Sequence, residues 1–154
     1  MKIFLILCLS ISLYANLILG RIDKFDLPEL SLNNIKAKID TGAKTSSLHC
    51  SSISSTKDGY VTFVVLDKEN EKFTGETITK KIHRFSKVKS SNGVEEKRYF
   101  IKTPIIIFNK EYIMDLSLTS RGSMKYPLLI GRELIRQNFI VDVKKSNLSF
   151  SNKK

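Results

Sequence analysis

The feature that most constrains this chain is an alternating stretch that runs straight into an acidic turn. In Ile35-Lys36-Ala37-Lys38-Ile39 the apolar side chains fall on one face and both lysines on the other, the period-two pattern of a half-buried β-strand. Asp40-Thr41-Gly42-Ala43 follows directly. A carboxylate is thereby placed at the end of a rigid strand. The next residue can lock the turn through its hydroxyl, and glycine lets the backbone come close to the carboxylate because it has no side chain. Backbone N–H groups aimed at a carboxylate stabilise its charge.

The rest of the chain continues the same theme. Residues 60–66 are β-branched and aromatic and read as a strand, and 77–88 alternate loosely around Ile78, Ile82 and Val88. Ser91-Asn92-Gly93 is a turn signal between Val88 and Val94. Residues 98–103 and 104–108 read as consecutive strand pieces, and Asn109-Lys110 turns the chain into a strand over 112–118. Leu128-Leu129-Ile130 suits a buried strand, 133–137 a turn or two of helix, 139–143 a last core strand, and 148–150 a further short strand. No stretch of a dozen residues beyond the N-terminus carries a 3.6-residue period. Many short strands with turns between them predict an all-β sandwich or barrel.

Residues 1–15 read differently. Lys2 precedes an apolar run over 3–13, and Ala15 is a small residue suited to cleavage, so the segment is expected to be a signal peptide. An uncleaved membrane anchor is the rival reading, and the protein is expected to be exported, periplasmic or secreted, or held at a membrane only if that segment is retained. Without the leader one cysteine remains, Cys50, which rules out an intramolecular disulfide. A small buried residue is the expected role, with a reactive thiol as the alternative. The 154 residues suit a single domain, expected over 21–150. The net charge of +11 favours acidic partners, but the lysines are scattered and not interleaved with aromatics, so no nucleic-acid partner is expected.

Other chemistries fit poorly. The two histidines, His49 and His83, form no His-Glu-x-x-His helix, and no Cys-x-x-Cys pair exists, so no metal ligands are assigned. His49 and Cys50 are neighbours and on a strand would point to opposite faces. No Gly-x-x-x-x-Gly-Lys loop is present to cradle phosphates, and no cofactor is assigned. Ser46 and Ser47 lack a nucleophile elbow and read as a polar-faced strand after the acidic turn. Arg98 and Tyr99 either line a cleft or form an outward cation beside an inward aromatic.

Far downstream, Leu128-Leu129-Ile130-Gly131-Arg132-Glu133-Leu134 places an apolar run before Gly-Arg and a short helix. With Ile35-Lys36-Ala37-Lys38-Ile39-Asp40-Thr41-Gly42-Ala43-Lys44-Thr45-Ser46-Ser47-Leu48-His49, Val88-Lys89-Ser90-Ser91-Asn92-Gly93, Met124-Lys125-Tyr126-Pro127 and Phe139-Ile140-Val141-Asp142-Val143, it resembles the retropepsin-like aspartic endopeptidases. That family was historically labelled ATP-dependent zinc proteases and is found beside ATP-grasp glutamate ligases. The resemblance implies a closed acid-protease barrel with one short helix after Gly-Arg. It implies Asp40 as catalytic residue, Thr41 as loop-locking hydroxyl and Gly42 as close-approach residue. Ala43, Ser91, Asn92, Gly93, Gly131 and Arg132 would support the substrate or the loop, with the 90–94 turn as a candidate flap. Arg132 would bind substrate or brace the dimer or the acidic loop through carboxylates.

Two carboxylates sharing one proton and one water perform this chemistry, because like charges held that close do not both ionise. The chain has no second Asp-Thr-Gly, and neither Asp115 nor Asp142 fits, so a homodimer is implied. The expected function is therefore aspartic endopeptidase action on a peptide or protein substrate. The alternatives are a non-catalytic binding module on the same barrel and a metal-dependent peptidase. A functional link to an ATP-grasp ligase follows only from the resemblance.

Overall fold

The computed structural model describes residues 16–89, 95–120 and 125–154, and the side chains of 88, 89, 95 and 96 are outside that description. The expected leader, the Ser91-Asn92-Gly93 turn and Met124 also lie outside the described residues. In chain order the elements are β1 (Leu17–Gly20), β2 (Ile22–Leu27), a 3-10 turn (Pro28–Leu30), β3 (Leu32–Ile39), β4 (Ser46–Ser55), β5 (Tyr60–Val65) and β6 (Thr77–Lys81). There follow β7 (Arg84–Lys89), β8 (Glu95–Ile107), β9 (Lys110–Thr119), β10 (Leu128–Ile130), α1 (Arg132–Ile135), β11 (Phe139–Asp142) and α2 (Leu148–Ser151).

Six strands close on themselves in the order β10-β3-β2-β8-β9-β4, with β4 pairing back to β10. The three-residue β10 is the closing piece: it lies parallel to β3 and antiparallel to β4, so that Leu128 stands opposite both Ala37 and Leu48. Closure leaves these strands no free edge. The alternating stretch behaves as its sequence predicts, with Ile35, Ala37 and Ile39 buried and Lys36 and Lys38 exposed. Their apolar face joins Leu48, Ile101, Ile105, Leu116, Leu118 and Ile130 in one core. β5 and β6 extend the sheet beyond β4, and β7 pairs with β8. Outside the barrel β1 and β11 form a parallel pair.

Several elements differ from the sequence reading for identifiable reasons. Residues 148–150 form a helical turn in α2, not a strand, because the buried Asp23 carboxylate accepts the Ser149 and Phe150 N–H groups at 2.9 and 3.1 Å. The two pieces expected around Pro104 are one long strand, β8. Pro104 falls between Phe100, the last partner of β7, and Ile106, the partner of β2, where β8 changes neighbour and a missing N–H is tolerated. The loose 77–88 pattern splits into β6 and β7 at Ile82-His83, whose N–H groups bond to Gly59 and Phe100 carbonyls. The stretch expected to be polar-faced is buried over its first five residues, since β4 is flanked by β9, β10 and β5. Leu17–Gly20 form β1, which pairs with β11.

Candidate active site

Asp40 stands where β3 leaves the barrel. Its own N–H donates to the Ile130 carbonyl at 2.9 Å, so β10 fixes the point at which the strand ends. The Gly42 and Ala43 N–H groups donate to Asp40 Oδ1 at 3.1 and 3.2 Å. A Cβ on Gly42 would lie 3.3 Å from that oxygen, a tight approach that glycine avoids. Oδ2 accepts no hydrogen bond among the described residues, and the side chain is half-buried. One carboxylate oxygen is therefore held by the backbone and the other is left open.

The Gly-Arg block locks the loop from beneath. A Cβ on Gly131 would stand 2.4 Å from the Thr45 carbonyl carbon, so only glycine fits against this backbone. The Gly131 N–H donates to Ser46 Oγ, and the Arg132 and Glu133 N–H groups donate to the Ala43 and Lys44 carbonyls at 3.0 Å. The first N–H groups of α1, which a helix leaves without internal partners, thus grip the loop. Arg132 Nη1 donates to the Thr41 and Gly42 carbonyls at 3.0 and 2.9 Å. Its brace is to backbone carbonyls, where a carboxylate contact was expected. The Thr41 side chain makes no hydrogen bond among the described residues, so within one subunit the lock is supplied by Arg132.

A cavity of about 460 Å³ opens above Asp40. Ala43, Ser47, Ser117 and Leu129 form its floor with Asp40. Its wall comes from the β7–β8 pair: Arg84 and Ser86 from one strand, Arg98 and Phe100 from the other. Register explains the wall, since Arg84 pairs with Phe100 and Ser86 with Arg98, placing all four on one face. Arg84 lies 3.5 Å from the centre of the Phe100 ring and donates from Nε to Asp115 at 3.1 Å. Arg98 has no ion-pair partner among the described residues. Tyr99 points to the opposite face and its hydroxyl shares a hydrogen bond with Ser55 Oγ at 2.8 Å. The cation lines the cleft, and the aromatic packs from the other face against the core.

The structure thus brings Asp40, Thr41, Gly42, Ala43, Gly131 and Arg132 together. Ser91, Asn92 and Gly93 lie outside the described residues, but the strands that flank them wall the cavity. Sequence reasoning did not single out Arg84, Ser86, Phe100, Ser117 or Leu129 as site residues. Alternation along 84–88 would have grouped Arg84 with Ser86, but nothing local says which face meets Asp40. The histidines lie elsewhere: His49 Nε2 is 2.8 Å from Asp67, and His83 Nε2 is 3.7 Å from Asp115. Cys50 is fully buried, and desolvation pushes its thiol up to about 12, which keeps it protonated and unreactive.

Comparison with known proteins agrees with this geometry. Residues 18–151 match the model of the RimB-like family, described as retropepsin-like aspartic endopeptidase RimB. The chain is 33% identical over 131 residues to a probable alpha-L-glutamate ligase of Desulfotalea psychrophila, covering 83% of this chain and 28% of that protein. It is 34% identical to one from Shewanella pealeana, covering 84% and 29%. It therefore spans under a third of the length of these relatives. The crystal structure of Lpg0085, a Legionella pneumophila protein of unknown function, superposes with a TM-score of 0.69 at 32% identity, covering 88% of this chain and 99% of that one.

Proposed function

Since the chain belongs to the RimB-like family of retropepsin-like aspartic endopeptidases, we propose that it hydrolyses peptide bonds as a homodimer in which two Asp40 carboxylates share one water and one proton. The observation that carries this reading is the asymmetry of Asp40, which lines the cavity: Oδ1 is tied to the Gly42 and Ala43 N–H groups, while Oδ2 accepts no hydrogen bond among the described residues. The ionised carboxylate of the pair takes a proton from the water, which attacks the amide carbonyl. The protonated one donates to the carbonyl oxygen as the tetrahedral species forms. Neither other candidate supplies the second group from the same chain. Asp115 is engaged by Arg84 and faces His83, and Asp142 is engaged by Lys145 and the Lys144 N–H. The β7–β8 hairpin acts as the flap, with its inner face already lining the cavity. Ile18 and Ile140, paired in register and 41% and 54% exposed, offer an apolar contact to the second copy.

Cations around the cleft favour acidic side chains in the substrate. Arg98 is without a described partner, and Lys44 is held only loosely by Glu133 at 3.9 Å. The names of the curated relatives point the same way, since a glutamate ligase makes glutamate-containing amides. A peptide rich in glutamate is the substrate class this combination fits, and the link to an ATP-grasp ligase runs through that product. The expected export of the chain is compatible with the fold: cleavage after Ala15 leaves β1, which starts at Leu17, intact. The mass of the mature chain tests it.

The decisive experiment incubates the purified protein with glutamate-containing peptides at mildly acidic pH and reads the products by mass spectrometry. Cleavage by the wild type that is lost in Asp40→Asn, with a dimer in sedimentation, supports the proposal. A strict monomer, or equal cleavage by both proteins, overturns it.

A further inference from the structure

A second cavity, of about 440 Å³, lies next to the cleft and is lined by Lys80, Lys81, Ile82, His83 and Lys102. Every polar lining residue is basic. Two pairs of chain neighbours connect it to the active site: Arg84 walls the cleft and His83 the second cavity, while Phe100 walls the cleft and Lys102, two residues along the same face of β8, the second cavity. The partition between them is one small cluster. Asp115, opposite Lys102 in the ladder, accepts from Arg84 Nε at 3.1 Å and stands 3.7 Å from His83 Nε2. The Asp115 carboxylate is therefore taken by its neighbours.

The cations inside are largely uncommitted. Lys80 donates to Glu29 Oε2 at 2.6 Å. Lys81 and Lys102 are exposed and make no ion pair among the described residues. Lys81 and Lys102 line one hollow with Arg98 and Arg84 next door, so an anion placed there meets several like cations at once. β6, which carries Lys80 and Lys81, ends the sheet order, so nothing described pairs with its outer side.

We propose that this cavity is an exosite that holds carboxylates of the acidic polypeptide whose amide bond lies over Asp40. The inference rests on the peptidase reading for its cleft and adds a second point of attachment. Lys102 is four positions beyond Arg98 on β8, so an extended peptide laid along that strand needs about four residues to pass from cleft to exosite. Acidic peptides shorter than that reach one cavity, and longer ones reach both. Length dependence of affinity follows from joining two weak sites on one chain.

The test uses the full chain carrying Asp40→Asn, which binds without turnover, and titrates labelled octaglutamate at low salt. Lys81→Ala with Lys102→Ala weakens binding about fivefold for each cation removed. Lys81→Arg with Lys102→Arg, which keeps the charge, restores it, and thermal unfolding of each variant verifies the fold. Lys57→Ala with Lys68→Ala, which removes the same charge from another part of the surface, leaves the affinity unchanged. Equal weakening in both alanine pairs would reduce the effect to net charge and overturn the exosite, as would no change in either. Tighter binding of inorganic polyphosphate or of an oligonucleotide than of octaglutamate would also overturn it. Because binding is read on a variant that does not cleave, failure of the wild type to hydrolyse peptides rejects the peptidase reading and leaves the binding result to stand or fall on its own.

Discussion

Two aspartates on neighbouring strands make the most instructive comparison in the molecule. Asp23 lies on β2, opposite Ala37 of β3, and Asp40 follows the last residue of β3. Both accept backbone N–H groups. Asp23 is 2% exposed and uses both oxygens, Oδ1 for the Lys24 and Phe150 N–H groups and Oδ2 for that of Ser149. Two of these three bonds dock α2 on the barrel. Ser149 Oγ extends that clamp by accepting the Phe108 N–H at 2.8 Å. Asp40 commits one oxygen, and the other accepts no hydrogen bond among the described residues. The same interaction thus ties a carboxylate into the fold when both oxygens are used and leaves an oxygen open when it stops halfway.

Substitutions separate the two roles. The largest effect is expected for Asp40→Asn, which lowers peptide hydrolysis by about 10²–10⁴-fold. Its thermal unfolding shifts little, since Oδ1 and its N–H donors are preserved. Comparable loss of stability and activity would erase the contrast. Asp23→Asn reverses the pattern: it places an amide against buried N–H donors and costs about 2–3 kcal/mol in denaturant unfolding. Peptide cleavage per folded molecule stays near wild type. Next comes Arg132→Met, which keeps the stem and removes the bonds to the Thr41 and Gly42 carbonyls. About 1 kcal/mol of stability goes, and cleavage falls more than stability does because the loop loosens around the reacting oxygen.

The smallest effect at neutral pH is at Cys50, which lies fully buried in the core. Burial raises the thiol of the folded state from 9.0 to about 12. Below pH 9 both states carry the proton and the thiol is neutral to stability. Between about 9 and 12 only the unfolded chain ionises, so stability is lost as pH rises through that window. Cys50→Ala changes neutral-pH stability by about 1 kcal/mol or less and removes this alkaline loss. Urea titrations at pH 7 and pH 10 read the difference.

Much of the acidic loop was legible because its physics is local. Alternation over 35–39 sets a face, Asp40 ends it, and glycine at 42 permits the close approach; each is a property of consecutive residues. Gly131 was legible as a close-packing glycine once its block was set beside the first one. The wall of the cleft was not. Arg84 and Arg98 face Asp40 because β7 and β8 pair in one register, and a shift by one residue would have turned Phe85 and Tyr99 inward instead. The helical turn at 148–151 was misread as strand for the same kind of reason: the partner that caps it, Asp23, is more than a hundred residues away.

From the order of its residues alone, the chain determined its strands, the acidic turn and the glycines that close approach demands, because period and side-chain size act over a few neighbours. Only the tertiary structure decided which oxygen of Asp40 stays open, that Arg132 grips carbonyls, and that two basic cavities adjoin across Asp115. Those outcomes depend on register and on contacts between distant strands, which no short window of sequence contains.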